Sequence, residues 1–251
     1  MLPFNISKCT TMTFSRTKKY VDERKYSMGG VILGSVIEKK DLGVIFDKKL
    51  TFRSYILASI LKAKRMTGFI IRNCKHFSDT DTLKIMYYAL VRPHLDYSSV
   101  TWEPTSRELV EKMEKVQLRF LRYLYYKDFG YYDKQISSVE LREGYEMILL
   151  EDFRNKNRIK FLHSLILGKI NESDLLSKIN LYVPHSQRNN DKVFKPHFSR
   201  TLVGHNSPIN RMMRLYNTAQ KEVPELDIFG SGVSMLEGGL KKIPWSRISS
   251  T

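Results

Sequence analysis

The sequence predicts an α+β protein that is mainly helical, with a small N-terminal β-sheet, a helical bundle and a helical C-terminal segment. Up to residue 50, short Val- and Ile-rich runs and alternating side chains are typical of strands. From residue 51 onward, apolar residues recur at helical spacing. We therefore expect a sheet over residues 1–50, a helical domain over 51–130, a C-terminal helical segment over 131–230 and a flexible tail over 231–251.

The first predicted strand is "FNISKCTTMTFSR", residues 4–16, in which Thr10, Met12 and Phe14 occupy every second position. A strand exists only by pairing, so this segment raises the question of its partner.

The next segment predicts a charged turn, "TKKYVDERK", and then two strands, "YSMGGVILGSVI" and "DLGVIFD", separated by a polar "EKK" turn. Gly29, Gly30 and Gly43 predict bulges or bends. A sheet of about three strands is marginal on its own.

Two helices are predicted next. The first starts near residue 51 and places one apolar face on Ile56, Ile60, Ala63 and Ile70. In the second, "SDTDTLKIMYYALVRP", Ser78 and Asp81 have capping-box spacing, and Pro93 limits the far end.

A third helix is predicted over "TSRELVEKMEKVQLRFLRYLYY", with Thr105 and Glu108 as a second capping box. Its apolar stripe consists of Leu109, Met113, Val116 and Phe120.

The remainder predicts one long helix over "LREGYEMILLEDFRNKNRIKFLHSLILGK", closed by Gly168. A polar loop follows, and then a helix with Ser207 as its cap and Pro208 at its first position.

Charge and composition indicate the class of partner. Lys and Arg total 42 against 26 Asp and Glu, a net charge of +16, which favours a polyanion such as nucleic acid or an acidic membrane surface. The 14 Tyr and 13 Phe residues suit either base stacking or an ordinary core, and composition leaves both open.

Cysteine usage and hydropathy indicate the compartment. Cys9 and Cys74 are the only cysteines and form no disulfide framework, which favours a reducing interior. The chain opens with no signal peptide, and its longest apolar stretches are too short to span a bilayer. We expect a soluble intracellular protein, cytoplasmic or nuclear, with no membrane partner.

The third predicted helix also carries a row of basic residues. Lys112, Lys115, Arg119 and Arg122 recur at steps of three and four, which places them on one helix face. Such a row can follow a phosphate backbone, or it can be a solvated helix face, and further basic clusters in "LKAKR" and "RNKNRIK" leave the two interpretations level.

No catalytic constellation is recognisable. Asp41 and Asp47 bracket one short predicted strand and are unsuited to sharing a metal, whereas Asp79 and Asp81 are typical of a helix start. The six histidines lack zinc-site spacing, and there is no Walker-type loop, no GxSxG elbow and no adjacent Asp-Asp pair.

Taken in order, several segments resemble the C-terminal part of the reverse transcriptase of non-LTR (LINE-type) retrotransposons, the jockey and CR1-like group. The resemblance covers about residues 4–230. Its motifs are "NISKCTTMTFSR", "KDLGVIFDKKLTFRSYI", "KAKRMTGFIIRN", "LKIMYYALVRPHLDYSSVTWEP", "MEKVQLRFLRYL", "ILLEDFRNKNRIKFLHSLILGKI", "YVPHSQR" and "NSPINRMMRLYN".

This resemblance implies a remnant of the polymerase palm sheet, a helical thumb-like domain and a helical C-terminal segment. The family's catalytic Tyr-x-Asp-Asp hairpin and its Mg²⁺ ions are expected only in an intact parent polymerase. We therefore expect this chain to hold no cofactor, no metal and no catalytic residue, and to be inactive alone. The partners of its first strand are expected in the missing palm.

The implied partner is nucleic acid, RNA or an RNA–DNA hybrid, gripped through its backbone with little base reading. The candidate contacts are Lys62, Lys64, Arg65, Lys112, Lys115, Arg119 and Arg122. Trp102 and Tyr97 are expected to pack, with stacking as the alternative.

Three interpretations stay open. The chain is a noncatalytic fragment that binds nucleic acid, or part of a working polymerase whose active site lies in a missing upstream portion. The third interpretation is a helical protein-interaction domain with incidental basic charge.

Overall fold

The computed structural model describes residues 5–15, 24–104, 106–183, 192–230 and 232–248. It is an α+β protein, mainly helical, with its few strands near the N-terminus, as the sequence predicted. The chain divides into two compact units: the first comprises residues 1–95 and 103–130, and the second comprises 96–102 and 131–251. The four predicted segment boundaries stay predictions.

The N-terminal segment is less extended than predicted. A 3₁₀ helix covers Ile6–Lys8, and only Thr10–Thr11 forms a strand, β1, which pairs in parallel with β4, Gly34–Ser35. The partner of the first strand therefore lies within this chain. The 3₁₀ turn shortens the strand because the Lys8 and Cys9 amides donate back to the carbonyls of Asn5 and Ile6.

The predicted second strand is a hairpin instead. Strands β2, Ser27–Met28, and β3, Val31–Ile32, pair antiparallel. Gly29 and Gly30 between them have φ of +57° and +79°, the conformation of a two-residue hairpin turn that glycine favours. The charged turn predicted before this hairpin falls mostly on residues 16–23, outside the described residues.

A second hairpin pairs β5, Glu38–Asp41, with β6, Val44–Asp47. The predicted "EKK" turn is wrong, since these residues belong to β5. The turn consists of Leu42 and Gly43, both with positive φ, because a two-residue connection of matching twist requires that conformation.

Four helices follow: α1, Arg53–Asn73; α2, Thr80–Leu90; α3, Arg92–Asp96; and α4, Arg107–Phe129. The predicted apolar faces of α1 and α4 are confirmed, since every one of their predicted core residues is buried. The helix-start predictions are less accurate. The cap of α2 is Asp79 rather than Ser78, because its carboxylate accepts from the amides of Asp81 and Thr82. Thr105 lies outside the described residues, and Ser106 is the N-cap of α4.

Helices α1 and α4 run parallel and pack directly on each other, and α2 packs antiparallel against both. At one end, Arg53 contacts Glu108; at the other, the Tyr123 hydroxyl donates to the Cys74 carbonyl at 3.2 Å. In the middle, the Tyr87 ring of α2 stacks on Phe120 of α4 with centroids 4.5 Å apart. These contacts fix which residues of α1 and α4 lie side by side.

The second unit is helical: α5, Ser138–Gly144; α6, Leu150–Ile166; α7, Ser173–Leu176; α8, Leu202–His205; α9, Pro208–Glu222; α10, Val233–Lys242; and α11, Trp245–Ile248. The predicted long helix is broken between α5 and α6, where Glu146 has φ of +54°. Gly168 follows α6 with φ of +67°, and Pro208 begins α9, as predicted.

The tail predicted to be flexible differs most. Helices α10 and α11 pack on α9, with Leu236, Leu240, Ile243 and Trp245 buried. Its glycines and serines indicated a loose segment, but the apolar residues between them lie on the core.

Two buried asparagines of α9 hold the preceding extended segment. The Asn217 side chain accepts from the Val193 and Phe194 amides and donates to the Phe194 carbonyl at 2.8 Å. Asn210 makes similar bonds with the backbone of His197. These side-chain amides make the hydrogen bonds that a neighbouring strand would otherwise make with the extended backbone.

Candidate nucleic-acid interface

The basic row on α4 lies on the surface of the first unit. Lys115, Arg119 and Arg122 are exposed. Each lies about 100° or more around the helix axis from buried Phe120. Their charges therefore face solvent on one side of the bundle.

Lys112, the first residue of the predicted row, lies at its edge and is engaged in an ion pair. Its ammonium lies 2.5 Å from Glu108, which Arg53 of α1 also contacts at 3.3 Å. The hydrogen bond from Lys112, followed by that from Arg53, lowers the pKa of Glu108. Part of the Lys112 charge is consequently neutralised.

The three candidates on α1 do not share one face. Lys62 and Lys64 lie about 160° apart around the helix axis, and Arg65 points away from the bundle. Lys62 lies toward α3, since partial burial and then the Lys62 charge lower the pKa of His94. Lys64 lies on the side of α1 that Arg53 occupies, next to α4.

Lys64 and Arg119 stand at the same level on neighbouring helices. Arg53 contacts Glu108, and each of the two cations follows its own member of that pair by eleven residues, 53 to 64 and 108 to 119. Because α1 and α4 run parallel, equal spacing brings both to the same height, about 16 Å along the bundle. They flank the seam along which α1 and α4 pack together.

Arg72, a cation that the sequence analysis did not name, lies off this surface. It follows Arg65 by seven residues, so both occupy the stripe of α1 that points away from the bundle. A Cβ placed on Gly68 would lie 3.1 Å from the Arg72 guanidinium, so Arg72 folds back over the glycine. We define the basic groove as Lys64, Lys115, Arg119 and Arg122.

The cluster "RNKNRIK" does not contribute surface charge in the way its composition indicated. Arg154 and Arg158 are 0% and 2% exposed. The Arg154 guanidinium lies 6.0 Å from the Trp102 ring centroid, and Arg158 donates to Asn155 at 2.7 Å. Burial, and then the charge of Arg211, hold the pKa of Arg158 well below its usual range. These arginines are part of the interior of the second unit.

Asp41 and Asp47 lie too far apart along their hairpin to share a metal ion. In the β5–β6 hairpin, Asp41 pairs with Val44 and Asp47 with Glu38, so the two aspartates lie at opposite ends. Within the described ranges, no three His, Cys, Asp or Glu side chains converge. This donor set does not fit a pair of metal ions.

Asp47 instead organises the entry to α1. Its carboxylate accepts from the amides of Lys49, Thr51 and Phe52 at 2.9, 2.8 and 2.6 Å and from the Thr51 hydroxyl. Partial burial raises its pKa, but these hydrogen bonds outweigh burial and lower it. The chain therefore enters α1 at a fixed angle.

The two aromatic residues considered for stacking differ in burial. Trp102 is fully buried and donates from its indole nitrogen to the Tyr97 carbonyl at 2.8 Å, so its predicted packing role is confirmed. Tyr97 is 54% exposed, so the choice between packing and stacking stays a prediction.

Among the helices that the structure describes, none combines the length and apolar character needed to cross a bilayer. Comparisons with known protein families, with curated proteins and with solved structures found no match for this chain.

Proposed function

We propose that this chain is part of a non-LTR retrotransposon reverse transcriptase that binds a primer–template duplex through the basic groove. The β-strands would correspond to the end of the palm, and α1, α2 and α4 to the thumb. The segments quoted above support this proposal by their order over about residues 4–230. The chain has no Asp-Asp pair, so the activity proposed for it is binding rather than polymerisation.

The observation that carries the proposal is a row of exposed cations on α4, Lys115, Arg119 and Arg122, with Lys64 of the parallel neighbouring helix α1 at the height of Arg119. A single basic row is often a solvated face, but facing cations at matched height suit two neighbouring phosphates. Because the groove presents charge and few polar groups specific to a base, we expect recognition of the backbone without sequence preference.

The test measures binding of a labelled RNA–DNA hybrid by fluorescence anisotropy as salt is raised. If four groove cations meet phosphates, log affinity falls against log salt with a slope of about −3.6, so affinity drops about 150-fold from 50 to 200 mM salt. A flat salt response contradicts the proposal.

Matched variants locate the contact. We expect the combined change K64Q, K115Q, R119Q and R122Q to reduce the slope to near zero, since it removes about 0.9 per lost phosphate contact. The control changes K62Q and R65Q, which lie off the groove, should leave the slope within about 0.9 of the wild-type value, the contribution of one phosphate contact. An equal loss of slope per removed charge in the two sets would assign the binding to net charge alone.

A protein-interaction role is the second candidate, and a different surface favours it. The β-hairpins expose Val31, Ile32, Ile37 and Leu42, the last at 86%. Apolar side chains exposed together on short strands are typical of a protein contact. In that case, charge reversal along the groove would leave nucleic-acid binding unchanged.

A further inference from the structure

The basic groove ends on exposed aromatic rings. Tyr126 and Phe129 follow Arg122 by four and seven residues on α4, so all three lie on one stripe of the helix. Tyr126 is 39% and Phe129 is 58% exposed. We define these two residues as the aromatic end.

The ring of Phe129 is supported from behind. Its centroid lies 4.5 Å from that of Tyr125, with 31° between the ring planes. Gly130 then ends the helix with φ of +79°, and its amide donates to the Tyr126 carbonyl at 2.9 Å. Phe129 is therefore the last helical residue and is held in place by a neighbouring ring.

An exposed aromatic ring next to a row of cations suits one kind of ligand. Stacking requires a flat base whose face is accessible, and bases within a duplex hide their faces against each other. Cations along the adjacent stripe would hold the phosphates of the same strand. A nucleic acid with unpaired bases satisfies both requirements. Because the proposed function places a duplex on these cations, the ligand considered is a duplex with an unpaired end.

We propose that the aromatic end binds the first unpaired bases of a nucleic-acid strand that leaves the basic groove. Phe129 stacks on one base, with Tyr125 behind it, and Tyr126 lies between this base and Arg122. This inference rests on the proposed function, because it requires the duplex to occupy the groove.

The experiment separates bases from phosphates. Three labelled RNA–DNA hybrids are compared by anisotropy over the same series of salt concentrations: blunt, with a short single-stranded overhang, and with an abasic overhang of the same length. The two overhangs carry the same phosphates, so any difference between them reports stacking. We expect the base-carrying overhang to bind at least about fivefold more tightly than the abasic one.

Variants then assign the effect. F129A should remove the advantage of bases over abasic sites, and F129W should keep it, because tryptophan offers a stacking surface. F198A, which removes a phenyl group that is 89% exposed in the second unit, is the matched control and should leave the advantage unchanged. Circular dichroism of each variant verifies that it is folded.

Three results would overturn the proposal in distinguishable ways. If all three hybrids bind equally with a steep salt dependence, the aromatic end is not a base site and the groove proposal stands. The same conclusion follows if F129A retains the advantage. If no hybrid binds, the proposed function fails together with this inference.

Discussion

Asp47 provides the sharpest test of how the first unit is held together. Its carboxylate is the acceptor for three backbone amides and one hydroxyl at the junction of β6 and α1. The substitution D47A removes all four acceptor contacts at once. The same junction contains Leu50 and Phe52 with φ of +52° and +54°, so it depends on external hydrogen bonds to keep its conformation.

The size of the effect follows from these contacts. Loss of a helix-capping carboxylate costs about 0.5–2 kcal/mol, and a buried amide left without an acceptor costs about 1–3 kcal/mol. Only the Phe52 amide belongs to a buried residue, since Thr51 is partly exposed and water can replace its bond. We therefore expect D47A to lower the free energy of unfolding by about 2 kcal/mol at pH 7.

The pH dependence has a definite sign. The folded pKa of Asp47 is lowered, so its contribution is present above the unfolded value of about 3.9 and is lost as the pH falls through the folded value. The difference between wild type and D47A should therefore be constant near neutral pH and shrink in acid.

Urea unfolding followed by far-UV circular dichroism measures this difference. Both tryptophans, Trp102 and Trp245, belong to the second unit, so their fluorescence reports that unit separately. The control D41A, at the exposed end of the other strand of the hairpin, should change stability by less than about 0.5 kcal/mol. Equal stability of D47A and wild type, or a difference that persists undiminished in acid, would refute the capping account.

Three further predictions concern single side chains. N217D keeps the acceptor for two amides but loses the donor to the Phe194 carbonyl. We expect the free energy of unfolding to fall by about 2 kcal/mol in urea unfolding monitored by tryptophan fluorescence, and an unchanged midpoint would contradict the role of the amide. The Tyr216 hydroxyl donates to the Leu226 carbonyl at 2.6 Å, so Y216F should be less stable at pH 7 by about 1 kcal/mol. Burial raises the pKa of Tyr216 to about 12, so this advantage of the wild type should shrink and then reverse as the pH rises from about 10 to about 12; a pH-independent difference would count against it. E108Q removes the ion-pair partner of Lys112, so the salt-dependence slope of hybrid binding should steepen by about 0.9; an unchanged slope would place Lys112 outside the interface.

The helices of the first unit were predictable because amphipathic periodicity is a local property. The buried faces of α1 and α4 required only the spacing of Ile56, Ala63, Leu109 and Phe120. The strands were harder, because all four residues of β5 are exposed and charged, so no alternation marks them. Leu42 in a left-handed conformation is likewise set by the pairing of β5 with β6, which sequence spacing does not reveal.

The groove was predictable in part for the same reason. The row on α4 follows from spacing within one helix, whereas the contact of Arg53 with Glu108 joins residues 55 positions apart. Only that contact shows which lysine of α1 faces α4. Composition also could not predict the burial of Arg154 and Arg158, since their long charged side chains resemble those of any exposed basic cluster.

The parallel arrangement of α1 and α4 also gives the bundle an electrical polarity. Helix macrodipoles place partial positive charge at the N-terminal ends, near Arg53 and Glu108, and partial negative charge at the C-terminal ends, near Cys74 and Gly130. These partial charges act within about one turn of each helix end. A phosphate chain along this surface would be attracted at the first end and repelled at the second, where bases rather than phosphates would face the aromatic rings. The two ends of the surface therefore differ in their attraction for phosphate.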